Sequence, residues 1–201
     1  WDLNAMALKW SFAGTRYIVD NVAATFVPPS ATAVNVAPGM LDGQQTFTLS
    51  APMPVLAGTT MTLTVCTKGY VGAAPGNPID YTPSGVDLLA FPQDTWACWM
   101  DYDQRSAASG KILYEEVAGV AYVTWNGVFT YDSQPLPNTF QFQFRIATGD
   151  VTLVIGALNG SALWPAVVGF SPGGGSLNPG RMDLSAAVAA GAIVTDPADQ
   201  S

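Results

Sequence analysis

The chain has 201 residues, with seven Lys and Arg against fifteen Asp and Glu, a net charge of −8, and no His. Without imidazole there is no Ser-His-Asp triad, no Cys-His dyad and no His-ligated metal site, and the acidic balance argues against gripping nucleic-acid phosphates by charge. Hydrophobic residues make up 49% of the chain and charged ones only 11%, against roughly a quarter charged in an average soluble protein, which describes a core-forming chain and not a disordered one.

Helical periodicity is nearly absent. Gly and Pro break the chain at short intervals, and Val, Thr, Phe, Tyr and Trp fill the gaps. That pattern predicts an all-β, mainly antiparallel sandwich with long Gly/Pro-rich loops. In chain order, residues 5–12 and 16–27 read as extended. Residues 46–50 and 59–66 follow as strands. Residues 73–85, rich in Pro, Gly, Asn and Ser, read as an exposed excursion. Residues 97–101 form the next strand. Residues 111–117 and 120–126 form a hairpin around Ala118-Gly119. Residues 132–138 hold two Pro and connect strands. Residues 140–146 are the clearest strand: Phe140, Phe142, Phe144 and Ile146 share one face, and Gln141, Gln143 and Arg145 the other, because side chains alternate. After the turn at Thr148-Gly149, Val151, Leu153 and Ile155 repeat the alternation. Residues 166–170 are a late strand, and residues 171–180 a Gly-rich loop. Residues 185–194 read as one short helix, and residues 195–201 as a linker or terminus.

Three groups of side chains carry candidate chemistry. Asp101 and Asp103 place two carboxylates in one extended segment, with Asp94 close in sequence. The pattern fits a turn in which each Asp accepts nearby backbone N–H groups, and it also fits part of a Ca²⁺ site, which wants six to eight oxygens. No other cofactor is implied. Among the aromatics, Trp96, Trp99, Tyr102, Tyr114, Tyr122, Trp125, Tyr131 and Trp164 either pack the core or stack on sugar rings. Trp125 shares a strand face with Val123 and reads as core. Tyr122 lies on the other face, and Tyr102 and Tyr122 are the candidate sugar-stacking residues. Glu115 and Glu116 are adjacent on a strand, so they point to opposite faces and cannot act together. No Ser lies in a Gly-x-Ser-x-Gly elbow or a Ser-x-x-Lys context, and Gly173-Gly174-Gly175 lacks the setting of a phosphate loop. No catalytic residues are expected.

The order of several segments resembles the nidogen-like extracellular β domain of secreted bacterial proteins. It runs from Val65-Cys66-Thr67-Lys68-Gly69-Tyr70-Val71 through Trp99-Met100-Asp101-Tyr102-Asp103 to the strand that begins at Lys111. Val123-Thr124-Trp125-Asn126-Gly127, Asn138-Thr139-Phe140-Gln141-Phe142 and Ala166-Val167-Val168-Gly169-Phe170 complete it. The resemblance covers residues 46–184. Lys68 stands where that pattern usually has Asn, and Cys66 and Cys98 are not part of it. It implies a non-catalytic extracellular module for adhesion, matrix or cell-surface structure. The domain division expected is residues 1–45 as an extended segment packed on or exchanged with the core, 46–184 as the sandwich, and 185–201 as a helix or tail.

The partner expected is a protein, a glycan or further copies of the chain, without a nucleic acid or a membrane span. Two other readings stand beside adhesion: a self-assembling filament or capsid-type subunit that donates a strand from residues 1–27, and a carbohydrate-binding domain. Few Lys and much Ser, Thr, Ala and Gly fit secretion, and a start at Trp1 instead of Met fits removal of a signal peptide. The resembling domains hold the segments of Cys66 and Cys98 in one central region. A Cys66–Cys98 disulfide is therefore expected in an oxidising compartment, against the alternative of two buried thiols.

Overall fold

The computed structural model describes residues 2–161, 163–177, 180, 183–189 and 198–200. Two mainly antiparallel sheets pack face to face as a β-sandwich. The strands of the first sheet are β1 (Ala7–Phe12), β2 (Tyr17–Asn21), β3 (Val34–Asn35), β8 (Tyr102–Asp103), β9 (Lys111–Val117), β10 (Val120–Thr130), β11 (Pro137–Arg145) and β12 (Asp150–Ala157). Their order is β2-β1-β12-β11-β10-β9-β3, with β8 added to the far end of β10. The second sheet runs β14-β13-β7-β6-β5-β4, built from β4 (Gln44–Val55), β5 (Gly58–Cys66), β6 (Tyr70–Gly72), β7 (Thr95–Trp99), β13 (Val167–Ser171) and β14 (Ala198–Gln200).

The hairpin of β9 and β10 turns at Ala118-Gly119 and that of β11 and β12 ends at Gly149, where the sequence places them. Both glycines take positive φ. The register Val123↔Phe142↔Leu153 lines up apolar residues across β10, β11 and β12. All three are fully buried. Between the sheets, Trp125 stacks on Phe140 at 4.6 Å, and Tyr17 meets Trp96 and Phe170 edge-on at 5.7 and 4.7 Å.

The segment expected to pack on or exchange with the core contributes β1, β2 and β3 to the first sheet. Alternating burial draws β1 into the sheet: Leu8 and Trp10 are fully buried, and β1 pairs with β12 of its own chain, as β3 pairs with β9. Residues 22–30 then strap the outer face of the first sheet. Gln141 holds the strap in both directions: its Oε1 accepts from Val27 N at 3.1 Å, and its Nε2 donates to Val27 O at 2.8 Å. Gln143 donates to Thr25 O, and Glu115 accepts from Ser30 N. Gln141, expected to face water, is thereby fully buried.

The outer face of the second sheet is covered as well. Where the predicted excursion ends, α1 (Gly85–Ala90) begins, started by Ser84, whose Oγ accepts from Asp87 N at 3.1 Å. Leu88 and Phe91 pack there with Cys66, Tyr70, Ala97, Trp99 and Val167 in a second, smaller core. Of the predicted helix over 185–194, α2 (Leu184–Ala189) is present, and the rest lies outside the described residues.

This double burial decides the cysteines. The register aligns Cys66 with Tyr70 and Tyr70 with Ala97, so Cys66 and Ala97 share the outer face. Cys98 follows Ala97 by one residue and points to the opposite face, into the core between the sheets. Both thiols are free and fully buried, and the expected Cys66–Cys98 disulfide is absent. No helix among the described residues is long and apolar enough to cross a membrane.

Candidate ligand site

The loops at one end of the sandwich line an open cavity of about 420 Å³. Its polar lining is Lys68, Asp42, Asp101 and Asp132, and its rim is Tyr81, Tyr131 and Trp164 with Leu41 and Leu163. Lys68 sits in the turn between β5 and β6. Gly69 beside it takes φ +93°, and a Cβ there would overlap Cys98 O at 2.3 Å, so the turn needs glycine. Met100 N donates to Lys68 O at 3.1 Å and Cys98 N to Gly69 O at 2.8 Å, which locks the turn against the end of β7. The preceding residue, Thr67, pins the loop that carries Asp42: its Oγ1 donates to Leu41 O at 2.6 Å and accepts from Gly43 N at 3.0 Å.

The Lys68 side chain is wholly buried. Its Nζ lies 2.7 Å from Asp42 Oδ1 and donates to Asp101 Oδ1. Burial of the Asp101 carboxyl raises its pKa, against the opposing pull of the Lys68 ammonium. Asp103 takes a different cation. Arg105 Nε and Nη2 each donate to it at 2.9 Å, and Arg105 N also donates to its Oδ1. The fork of hydrogen bonds from Arg105 lowers its pKa. Thus Asp101 and Asp103, the carboxylates considered for Ca²⁺, are each engaged by a neighbouring cation. Asp94 accepts from Leu56 N at 2.8 Å. Among the described residues, no three His, Cys, Asp or Glu side chains gather to hold a metal.

The rim is exposed aromatic surface: Tyr81 is 51% accessible, Tyr131 54% and Trp164 38%. Tyr81 and Trp164 meet at 6.0 Å in an edge contact that makes an aromatic corner. The Arg105 guanidinium lies 5.9 Å from the Tyr131 ring centre. Asp132 Oδ2 accepts from Ser161 Oγ and Leu163 N and so holds the loop that bears Trp164.

Tyr102, expected to stack on sugar, is a core residue. Its pairing opposite Thr130 turns the ring inward against Phe140 and Trp125, and its hydroxyl lies 3.8 Å from Cys98 Sγ. Trp96, Trp99, Trp125 and Tyr114 are buried too. Tyr122 does face outward. It lines a separate cleft of about 260 Å³ under the strap, with Lys9, Gln143, Arg145, Asp150 and Thr152. Lys9 and Asp150 form an ion pair there at 2.9 Å. Glu115 and Glu116 diverge as expected, Glu115 to the strap and Glu116 to Ser50. Sequence reasoning missed Lys68, Asp42 and Tyr81 as cavity residues. The available signal for Tyr81 was an aromatic inside a Pro-rich loop, a place with no core to bury it.

No protein-family model, curated protein or solved structure matches the chain.

Proposed function

We propose that this chain is a non-catalytic extracellular recognition module that binds a carbohydrate on its partner through the aromatic-rimmed cavity. The observation that carries the proposal is the convergence of three exposed rings, Tyr81, Tyr131 and Trp164, over a polar floor. Sugars offer C–H faces to aromatic rings and hydroxyls to carboxylates, and this combination supplies both partners. The Lys68, Asp101, Asp103 and Arg105 charges are committed to one another, a situation that suits holding a ligand more than activating one. The low content of charged residues and the nidogen-like order of segments support an extracellular, adhesive setting. Strand addition at β4 is less favoured, because this outer strand carries Pro52 and Pro54, which blunt an edge.

Glycan-array binding by the wild type and by a Tyr131→Ala/Trp164→Ala variant tests the proposal. Each aromatic contact is worth about 0.5–1.5 kcal/mol, so losing both weakens binding about 5-fold to 150-fold. Both rings are exposed, so the variant keeps the wild-type melting temperature. Absence of any bound glycan, or binding indifferent to both rings, overturns the carbohydrate reading.

A further inference from the structure

Lysine is almost never fully buried unless paired. Lys68 is fully buried, its amine touches the Asp101 carboxylate, and a second carboxylate, Asp42, lies 2.7 Å from the same nitrogen. We propose that Lys68 and Asp101 become covalently joined, as an intramolecular isopeptide bond between Lys68 Nζ and Asp101 Cγ, with Asp42 relaying the proton. This goes beyond the carbohydrate reading and does not depend on it.

The step balances without a co-reactant. Proton transfer within the ion pair leaves a neutral amine and a carboxylic acid. The Nζ lone pair attacks Cγ, and the new N–C bond forms as the carbonyl opens to a tetrahedral centre. The nitrogen gives a proton to the Asp42 carboxylate, which passes it to the departing Asp101 hydroxyl. The C–O bond breaks, one water leaves into the adjoining cavity, and Asp42 returns to its starting state. Overall, one ammonium and one carboxylate become one amide and one water.

Three features favour the reaction. The Lys68 amine already contacts the Asp101 carboxylate at Oδ1, and Met100 N to Lys68 O at 3.1 Å and Cys98 N to Gly69 O at 2.8 Å tie the two segments together. Such positioning is equivalent to very high effective concentrations of one group at the other. Burying two charges is costly, and the neutral amide removes both. The raised pKa of Asp101 adds in the same direction, because it favours the acid form that can lose a hydroxyl. The bond would tie the β5–β6 turn covalently to the segment that follows β7.

The mass of the intact, denatured wild-type protein tests this directly. The expected mass is one water below the sum of the sequence, and proteolysis yields a branched peptide that contains residues 68 and 101. Lys68→Arg, which keeps the charge but lacks the amine nucleophile, shows its full mass. Asp101→Asn closes the same bond and ends one ammonia below its own sequence mass. Asp42→Asn slows closure by a factor on the order of 100, the usual worth of a positioned acid–base group. A wild type of full sequence mass overturns the proposal. So does a lost water that persists in Lys68→Arg or maps to a cyclic imide at Asp42-Gly43. Asp42→Asn protein that closes at the wild-type rate overturns the relay.

Discussion

Phe142→Ala tests the register of β11. Phe142 is fully buried, with Phe140 and Trp125 edge-on at 6.0 and 6.1 Å and Phe144 at 6.0 Å. Removing a core phenyl costs about 3–5 kcal/mol, and three aromatic neighbours place this one toward the upper end, about 4–5 kcal/mol. For a chain of this size each kcal/mol shifts the melting temperature by about 2–4 °C, so the expected drop is roughly 8–20 °C. Gln143, one residue on, faces the strap, where it is partly exposed and donates to Thr25 O and Gln141 Oε1. Gln143→Ala forfeits about 1 kcal/mol of hydrogen bonding, or about 2–4 °C. Thermal melts followed by tryptophan fluorescence, with urea titrations at an unchanged m-value, compare the two variants. Equal losses, or a Phe142→Ala melt within about 3 °C of the wild type, would refute the inward placement of this face.

Gln141→Ala strips the strap of both Val27 hydrogen bonds and of the Gln141–Thr124 contact. It should cost about 1–3 kcal/mol and open residues 22–30 to limited proteolysis, and a strap as protease-resistant as in the wild type would contradict the role given to Gln141. The unreduced, denatured protein should show two alkylatable thiols and the native protein almost none, because both cysteines are buried and free; a loss of two hydrogens in intact mass would restore the disulfide. Burial also pushes the Cys66 thiol up to about 11 and the Cys98 thiol up to about 12. Their folded values lie above the unfolded one near 8.5, so this contribution to stability is full below about pH 8.5 and is lost as the pH rises beyond it. Urea midpoints measured across that range check the sign, and Cys66→Ser/Cys98→Ser should flatten the decline.

The all-β class, both hairpins and the inward faces of β10, β11 and β12 were legible in the sequence, because a period of two and turn glycines are local properties of the chain. Phe140, Phe142 and Phe144 announce their own face, and Gly119 and Gly149 their own turns. What covers the other face is not local. Gln141 looks like a solvent residue until residues 22–30, more than a hundred positions away, cross it. Cys66 and Cys98 fall on opposite faces because a tight turn at Gly69 and the β6–β7 register intervene, and parity across strands depends on register. Tyr102 sits between two aspartates yet faces the core, because two residues of β8 pair with the end of β10. The cavity is the most strongly tertiary feature of all. Asp42, Lys68, Tyr81, Asp101, Tyr131 and Trp164 come from separate connections, and only the packing of the two sheets brings those loops to one end, with a buried lysine between two carboxylates.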